Sequence, residues 1–333
     1  MTFGPVLTFT KKGIYCPAGD FYIDPTRPVA RALITHGHAD HARSGHDSYL
    51  ATTAALPVIR HRLGRISAQS IEFGQSCQIG DAKVSFHPAG HVPGSAQIRV
   101  EVAGEVWVAS GDYKTEDDGL SEAFEPVKCH SFITESTFAL PVFRWPPQQT
   151  VAAQINAWWA ACKAAGKVAI LGTYSLGKAQ RVLRMLDPSI GSILTHGAVE
   201  KTNQVMRGQG IALPDTVMVT PGMKPAACRG ALVLAPPSVF GTEWAENFGP
   251  HETAFASGWM QLRNMRRRRS GDQGFVVSDH ADWPGLCHAI TATGAENIYV
   301  THGYTTTFTR HLAEAGWNAQ VGRAGSDDPK TAP

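Results

Sequence analysis

The chain has 333 residues, of which 43% are hydrophobic and 17% are charged, and its formal net charge is +2. This length indicates about two domains, and the apolar fraction is sufficient for a sizeable core. The small net charge does not by itself indicate nucleic-acid binding. No apolar stretch is long enough to span a membrane and the N-terminus lacks the pattern of a signal peptide, so we expect a cytoplasmic protein without a membrane partner. The six cysteines are scattered without a C-x-x-C pair, which indicates buried free thiols.

Residues 6–31 have the pattern of a meander of short strands separated by glycine and proline turns. The apolar run at 32–34 predicts a buried strand, and apolar residues three or four apart predict a helix over 51–64. Further strands are expected at 82–87, 96–103, 105–110 and 131–134.

A different pattern begins where Pro141, Pro146 and Pro147 mark a boundary. The helices expected next are at 149–165, 177–186 and 198–208, and the strands are at 167–171, 192–195, 217–220, 231–235 and 253–256. This alternation predicts a parallel α/β unit. The last elements expected are strands at 274–278 and 297–301 and helices at 282–293 and 305–315.

The order of these elements predicts an α/β protein in which one domain interrupts another. We expect a first domain made of 1–140 and 266–322, an insert domain at 141–265, and a disordered tail at 323–333.

Thr35-His36-Gly37-His38-Ala39-Asp40-His41 follows the strand at 32–34 directly. His36 and His38 alternate along the chain and can point the same way, whereas Asp40 and His41 can reach a second ion. The alternative is a polar loop with chance histidines. Three histidines and an aspartate within six positions are improbable by chance, because the whole chain has only 14 histidines. The motif therefore predicts a metal site.

Three further side chains that can bind metal follow predicted strands, namely His91, Asp112 and His302. A carboxylate has two oxygens and can bridge two cations, which gives Asp112 a distinct role, although a turn aspartate is the alternative. His87 competes with His91, but it lies inside a strand pattern and is expected to be structural. His46 is expected at the surface or in a supporting role.

The H-x-H-x-D-H motif and the later strand-end ligands resemble the metallo-β-lactamase superfamily. The resemblance implies an αββα sandwich that binds two divalent ions, zinc or alternatively manganese. It assigns one ion to His36, His38 and His91 and the other to Asp40, His41 and His302, with Asp112 bridging the two.

Two more motifs resemble those of the β-CASP nucleases, Glu135 in Thr-Glu-Ser-Thr-Phe and His280 in Ser-Asp-His-Ala-Asp. In that branch an insert domain lies between the two. Segments 13–20, 90–97 and 195–201 are similar to bacterial ligase-associated DNA exonucleases, over about residues 5–322 in all. This resemblance implies a DNA exonuclease in DNA repair, with nucleic acid, an ATP-dependent DNA ligase and a helicase as partners.

The implied reaction is hydrolysis of a phosphodiester by a hydroxide that two metal ions activate. The catalytic residues would be Asp112, His280 and Glu135. His280 would donate a hydrogen bond or a proton toward the phosphate or the leaving oxygen, and Glu135 would orient it. A role for His280 as a ligand of one ion is the alternative.

Four residues outside these motifs are candidates for substrate contact, namely Ser175, Lys178, Arg263 and Arg266. The loop that carries Ser175 and Lys178 opens a helix and can hold an anion there, or it is an ordinary helix cap with a solvated lysine. Arg263 and the run 266–269 line a nucleic-acid groove or form a solvated loop.

Several alternatives stay open from the sequence. Trp145, Trp158 and Trp159 could stack on bases, but core packing is the preferred interpretation. His196 is expected to be structural or to contact substrate. The alternative functions are an RNA-processing nuclease, a small-ester hydrolase of the same fold, and an inactive binding subunit. The insert, Glu135 and His280 argue against the second, and the complete ligand set argues against the third.

Overall fold

The chain divides into two units, one made of Met1–Arg144 and His280–Pro333 and the other of Trp145–Asp279. The computed structural model describes residues 5–262 and 273–323. Each unit has its own sheet or sheets and its own hydrophobic core.

Two sheets form the first unit. The strands of the first sheet, in spatial order, are β1 (Thr8–Thr10), β2 (Gly13–Cys16), β3 (Phe21–Ile23), β4 (Arg31–Leu33), β5 (Ser48–Thr52) and β6 (Ala68–Ile71). Strands β1 to β3 are antiparallel, and β3 to β6 are parallel. The antiparallel start confirms the short strands that the glycine and proline turns predict.

The second sheet combines chain segments that are far apart in sequence. Its strands are β7 (Ser76–Ile79), β8 (Ala82–Pro88), β9 (Ala96–Val102), β10 (Glu105–Ala109), β11 (Ser131–Ser136), β18 (Asn297–Gly303) and β19 (Asn318–Val321). The spatial order is β19-β18-β11-β10-β9-β8-β7, antiparallel from β7 to β10 and parallel from β10 to β19. The carboxyl ends of β8, β10, β11 and β18 therefore lie at the same edge.

Both faces of each sheet in the first unit are covered. In β4, Leu33 packs into the core between the sheets, while its neighbour Ala32 packs with Ile59 of helix α1 (Leu56–Leu63). In β11, Ile133 joins the same core, while Phe132 packs against helices α7 (Trp283–Thr293) and α8 (Thr305–Glu314). Alternate strand residues face opposite sides, so these contacts define helix, sheet, sheet and helix layers. They confirm the αββα sandwich.

The second unit has one wholly parallel sheet. Its strands, in spatial order, are β14 (Val217–Met218), β13 (Ile193–Thr195), β15 (Leu232–Ala235), β12 (Val168–Gly172), β16 (His251–Ala256) and β17 (Gln273–Phe275). Its helices are α2 (Gln148–Ala164), α3 (Lys178–Met185), α4 (Gly197–Gly208), α5 (Pro225–Cys228) and α6 (Glu243–Glu246), with 3₁₀ turns at Pro237–Val239 and Gly258–Gln261. Leu171 and Ile170 belong to separate clusters on the two faces, so this sheet is also buried on both sides. The parallel α/β prediction is confirmed.

Two sequence predictions differ from the structure. The helix predicted over 51–64 begins only at Leu56, because Ser48–Thr52 forms β5 between β4 and β6. Apolar spacing alone does not separate a short buried strand from the start of a helix. Strand β17 was assigned to the return part of the first domain at 266–322, but it pairs with β16 in the sheet of the second unit.

All six cysteines are free thiols, with Cys16, Cys162 and Cys228 buried and the others half-buried. Across residues 5–262 and 273–323, every helix is too short or too polar to cross a lipid bilayer.

The core of the second unit depends on Trp159, whose side chain is fully buried and whose Nε1 donates to the carbonyl of Gly230 at 3.1 Å. We expect Trp159→Ala to lower the free energy of unfolding by about 3–5 kcal/mol, because it leaves a cavity. Val142→Ala is the control, because Val142 is exposed. Urea unfolding measures both, and equal stability of the two variants would contradict the assignment of Trp159 to the core.

Candidate metal centre

The candidate ligands reach one place because each follows the end of a strand. His36, His38 and His41 follow β4, His91 follows β8, and Asp112 follows β10. The ends of β8 and β10 share an edge of the second sheet, and the loop after β4 reaches this edge from the first sheet. The backbone amide of Ala96 donates to the carbonyl of Thr35 at 2.8 Å and ties the two sheets together beside the site.

The ligand loop after β4 is held by a side chain from helix α1. Nη1 of Arg62 donates to the carbonyl of Gly37 at 2.6 Å, and the amide of Ala42 donates to the carbonyl of His38 at 2.8 Å. Burial lowers the pKa of Arg62, although Asp40 opposes this effect. Sequence reasoning missed Arg62, because only the packing of α1 brings it to the loop.

Gly111 allows the Asp112 loop to approach the histidine loop closely. It has a φ of +57°, and a Cβ at this position would lie 2.7 Å from Cβ of Thr35. A larger residue would therefore push Asp112 away from the histidines.

Three imidazole nitrogens and one carboxylate oxygen converge. Nδ1 of His38 lies 3.0 Å from Nε2 of His36 and 3.0 Å from Nε2 of His91. Oδ2 of Asp112 lies 3.7 Å from Nε2 of His36 and 3.8 Å from Nε2 of His91. These four residues form one group whose potential ligand atoms all lie within 4.8 Å of one another.

Asp24 fixes which nitrogens of His36 and His41 face this group. The hydroxyl of Thr35 donates to Oδ2 of Asp24 at 2.6 Å, so Thr35 Oγ1 accepts from Nδ1 of His36 at 3.0 Å. Nδ1 of His41 donates to Oδ2 of Asp24 at 2.7 Å. In the neutral form of each ring the lone pair is therefore left on Nε2, and the contact of His41 with Asp24 is the one found in metal sites whose histidines donate to an outer carboxylate.

The sequence offered one signal for Asp24, which sequence reasoning did not use. Asp24 directly follows β3, and β3 is the parallel neighbour of β4. It is therefore a carboxylate at a strand end, like Asp112.

The residues at this site fit a divalent metal ion. Ligand atoms at about 2.0–2.2 Å from a tetrahedral ion lie roughly 3.3 Å apart, which is close to the spacing of the imidazole nitrogens. Nε2 of His41 is buried without a hydrogen-bond partner among the described residues, and it lies 3.3 Å from Oδ2 of Asp112. A cation would satisfy this nitrogen and the carboxylate together.

The electrostatics of the site favour bound positive charge. Burial lowers the pKa of His36 well below its usual value, and His41, His91 and His38 lower it further, so His36 is neutral and can bind metal. Burial alone would lower the pKa of His41, but Asp112 and Asp24 raise it well above its usual value. Burial would raise the pKa of Asp112, but His41 and His280 hold it well below its usual value.

The second predicted ligand set is more open. Oδ2 of Asp40 lies 3.8 Å from Nε2 of His41, and the Asp40 side chain is 67% exposed. The rings of His41 and His302 are 5.5 Å apart, and His302 is exposed with a φ of +49°. Gly303 lets β18 turn there, because a Cβ on it would lie 2.4 Å from the carbonyl oxygen of Ser136. A second ion at Asp40, His41 and His302 stays a prediction.

His280 forms a pair with Glu135 beside the first group. Nδ1 of His280 lies 2.9 Å and 2.8 Å from the two carboxylate oxygens of Glu135, which is 1% exposed. Oε1 of Glu135 also accepts from the amide of Tyr113 at 2.8 Å. The rings of His280 and His91 are 4.6 Å apart, and potential ligand atoms of Asp112, Glu135 and His280 lie within 4.8 Å of one another.

The other histidines from the sequence analysis lie outside these groups. Nε2 of His87 lies 3.0 Å from Oγ of Ser85 within β8. His46 is buried, with its ring 5.1 Å from the ring of Tyr49. Nδ1 of His196 accepts from the amide of Ala198 and caps helix α4.

The predicted substrate contacts belong to the second unit. Ser175 is half-buried in the loop before α3. Lys178 is only 5% exposed, and its Nζ lies 3.6 Å from Oδ2 of Asp279, so its charge is paired rather than solvated. Arg263 and Arg266 lie outside the described residues.

Known proteins resemble this chain in sequence and in fold. A probable DNA ligase from Opitutus terrae is 31% identical over 314 residues, which cover 92% of this chain and 30% of that protein. Endoribonuclease YSH1 from Gibberella zeae is 29% identical over 173 residues, which cover 50% of this chain and 20% of that protein. The chain thus spans less than a third of the length of these relatives.

A solved structure from Enterococcus faecalis, of a protein of unknown function, covers 89% of this chain and 80% of its own chain with a TM-score of 0.59 and 10% identity, which is a likeness of fold alone. No family model matches the chain. One of these relatives is named as a nuclease, which agrees with the nuclease resemblance of the sequence motifs.

We expect Asp24→Asn to weaken metal binding by roughly 10- to 100-fold, because an amide no longer fixes the ring of His41 as a carboxylate does. Titration of the chelator-treated protein with zinc, against a competing indicator, measures the affinity. The control is Asp47→Asn, because Asp47 is an exposed aspartate that directly precedes β5. Unchanged affinity in Asp24→Asn would contradict the role of this carboxylate.

The metal-free protein should respond to pH through His41. Its pKa is raised in the folded state, so its contribution to the free energy of unfolding is fully present below about pH 6.5, the usual histidine value, and is lost as the pH rises through the folded pKa. Urea unfolding of chelator-treated protein at several pH values should reveal this loss. A His41→Gln protein with the same pH dependence would contradict it.

Proposed function

We propose that the chain is a metal-dependent nuclease that hydrolyses phosphodiester bonds, and more specifically an exonuclease that acts on DNA during repair. The observation that carries the proposal is the convergence of His36, His38, His91 and Asp112 beside the His280–Glu135 pair. Metal ions can activate water and neutralise phosphate charge, and a separate imidazole can transfer a proton, so both promote the hydrolysis of a phosphodiester.

His36, His38, His91 and Asp112 would hold one divalent ion, zinc or manganese. Asp40, His41 and His302 would hold a second, and Asp112 lies beside this set as well, 3.3 Å from Nε2 of His41. Such ions, when bound, neutralise phosphate charge and lower the pKa of water. Asp24 would hold the ring of His41 in place, and Arg62 would hold the loop that carries the histidines.

His280 would complete the reaction at the leaving group. Its Nδ1 is held by Glu135, so Nε2 is the nitrogen that can exchange a proton with the substrate. As water adds to phosphorus and the phosphorus–oxygen bond breaks, the leaving oxygen takes up a proton, which His280 can donate from Nε2. The carboxylate of Glu135 stabilises the imidazolium that carries this proton.

The choice of DNA rests on the length of the similarity to the probable DNA ligase, which covers 92% of this chain. The chain matches only 30% of that protein, so the other 70% of the relative can carry other activities. We propose an ATP-dependent DNA ligase and a helicase as partners of this chain. An RNA-processing activity is the second candidate, favoured by the 29% identity to an endoribonuclease over half of the chain. A cytoplasmic location stays a prediction from the sequence.

The substrate is tested with end-labelled single-stranded and double-stranded DNA and with RNA of the same sequence, each with added zinc or manganese. Stepwise shortening of DNA from one end, abolished by a chelator and restored by metal, is the expected result. Cleavage of RNA alone would move the proposal to RNA processing. No phosphodiester cleavage with either metal would overturn it.

We expect His280→Ala to lower the rate of cleavage by about 10²- to 10⁴-fold, which is the usual contribution of a general acid, while the metal content stays unchanged. Metal analysis of the purified variant accompanies the rate measurement. The control is His288→Ala, an exposed histidine on helix α7. Loss of metal in His280→Ala would instead make His280 a ligand, and an unchanged rate would remove it from the mechanism.

A further inference from the structure

Tyr174 stands out on the second unit because its aromatic ring is exposed. Its side chain is 55% exposed, and none of the other large apolar side chains that are exposed in the described residues, Val142, Val217 and Met218, is aromatic. Single exposed apolar residues are common, so exposure alone does not indicate a function. The position and the surroundings of the ring carry the argument.

Tyr174 lies at the carboxyl end of the parallel sheet. It follows β12, a central strand that pairs with β15 on one side and β16 on the other. In open parallel sheets, ligands bind outside the carboxyl ends of the strands, near the point where successive connections diverge. The connection that leaves β12 runs toward β13 on one side of the strand, whereas the neighbour of β12 on the other side is β16. Tyr174 therefore lies near the point where the connections diverge.

One face of the Tyr174 ring is covered by a cation. Nζ of Lys178 lies 4.6 Å from the ring centroid, and Lys178 is itself only 5% exposed, so it contacts the inner face. Asp279 holds the ammonium group in place from 3.6 Å. The outer face of the ring is therefore the exposed one, and the cation beneath polarises it.

Hydrogen bonds hold the loop that carries Tyr174. The amide of Ala179 donates to the carbonyl of Tyr174 at 3.1 Å. The buried side chain of Gln180 accepts from the amide of Gly177 at 2.8 Å and donates to the carbonyl of Ser175 at 3.0 Å. Nε2 of Gln180 also donates to Oδ1 of Asn203 in helix α4 at 2.8 Å. A ring on such a loop loses little conformational entropy when a ligand covers it.

We propose that the exposed face of Tyr174 stacks on a base of a single-stranded nucleic acid. This inference rests on the proposed nuclease function and adds to it a residue that contacts a base. A flat ring backed by a cation binds another planar π-system, and an unpaired base is the planar group that nucleic acids offer. Bases inside a duplex already stack on each other and leave no face for Tyr174.

The test uses the full chain with His280→Ala, which slows cleavage, and a single-stranded oligonucleotide that contains the fluorescent base 2-aminopurine. Stacking on Tyr174 should quench the fluorescence. Adding Tyr174→Ala should remove the quenching and weaken binding by about tenfold, since stacking on one aromatic side chain contributes on this scale. Tyr174→Phe should keep both quenching and affinity, because the ring rather than the hydroxyl makes the contact.

Two controls separate stacking from other effects. Val217→Ala removes another exposed apolar side chain of the same unit and should leave binding unchanged. An oligonucleotide with abasic sites should bind equally to proteins with and without Tyr174. Thermal unfolding of each variant tests that the fold is intact.

The inference is overturned if Tyr174→Ala binds and quenches like its parent, or if Tyr174→Phe loses as much affinity as Tyr174→Ala. Failure of the proposed function looks different, because the unaltered protein would then cleave no nucleic acid with either metal. A parent protein that binds no single strand at all would overturn the stacking proposal as well.

Discussion

Three imidazole nitrogens and a carboxylate converge at the carboxyl ends of the strands, and the strands and loops of the first unit position them. Nδ1 of His38 lies 3.0 Å from Nε2 of both His36 and His91, with Oδ2 of Asp112 less than 4 Å from those two nitrogens. A neutral imidazole has one N–H, so these rings cannot all satisfy each other through hydrogen bonds. A buried carboxylate also needs a positive partner. One divalent cation would meet both requirements.

The αββα sandwich supplies this arrangement through strand direction. Parallel strands end at one edge, so residues far apart in sequence, such as Asp112 after β10 and His302 near the end of β18, lie at a common edge. Contacts with two further carboxylates then orient histidines at the site. Asp24 orients His41 through Nδ1, and Glu135 orients His280 in the same way. The two histidines therefore differ in position: His41 faces the candidate ligand group, whereas His280 lies beside it.

The sequence predicts where the candidate ligands lie relative to the strands, because motif spacing and strand ends are local properties. His36, His91 and Asp112 each follow an apolar run that predicts a strand, and those strands form. Asp24 was missed because an aspartate after a short strand is common, and only the pairing of β3 with β4 gives it importance. The sequence predicts a helix over part of strand β5 for a similar reason, since the strands that pair with β5 lie elsewhere in the chain. The burial of Lys178 depends on Asp279, which is distant in sequence and could not be paired with it from spacing.

Anomalous X-ray diffraction from crystals grown with zinc, measured at the zinc absorption edge, tests the central claim most directly. The account predicts a strong peak between His36, His38, His91 and Asp112, with about 2.0–2.2 Å from the ion to each ligand atom. Anomalous density confined to other places, with these four side chains left to contact only one another, would contradict the account.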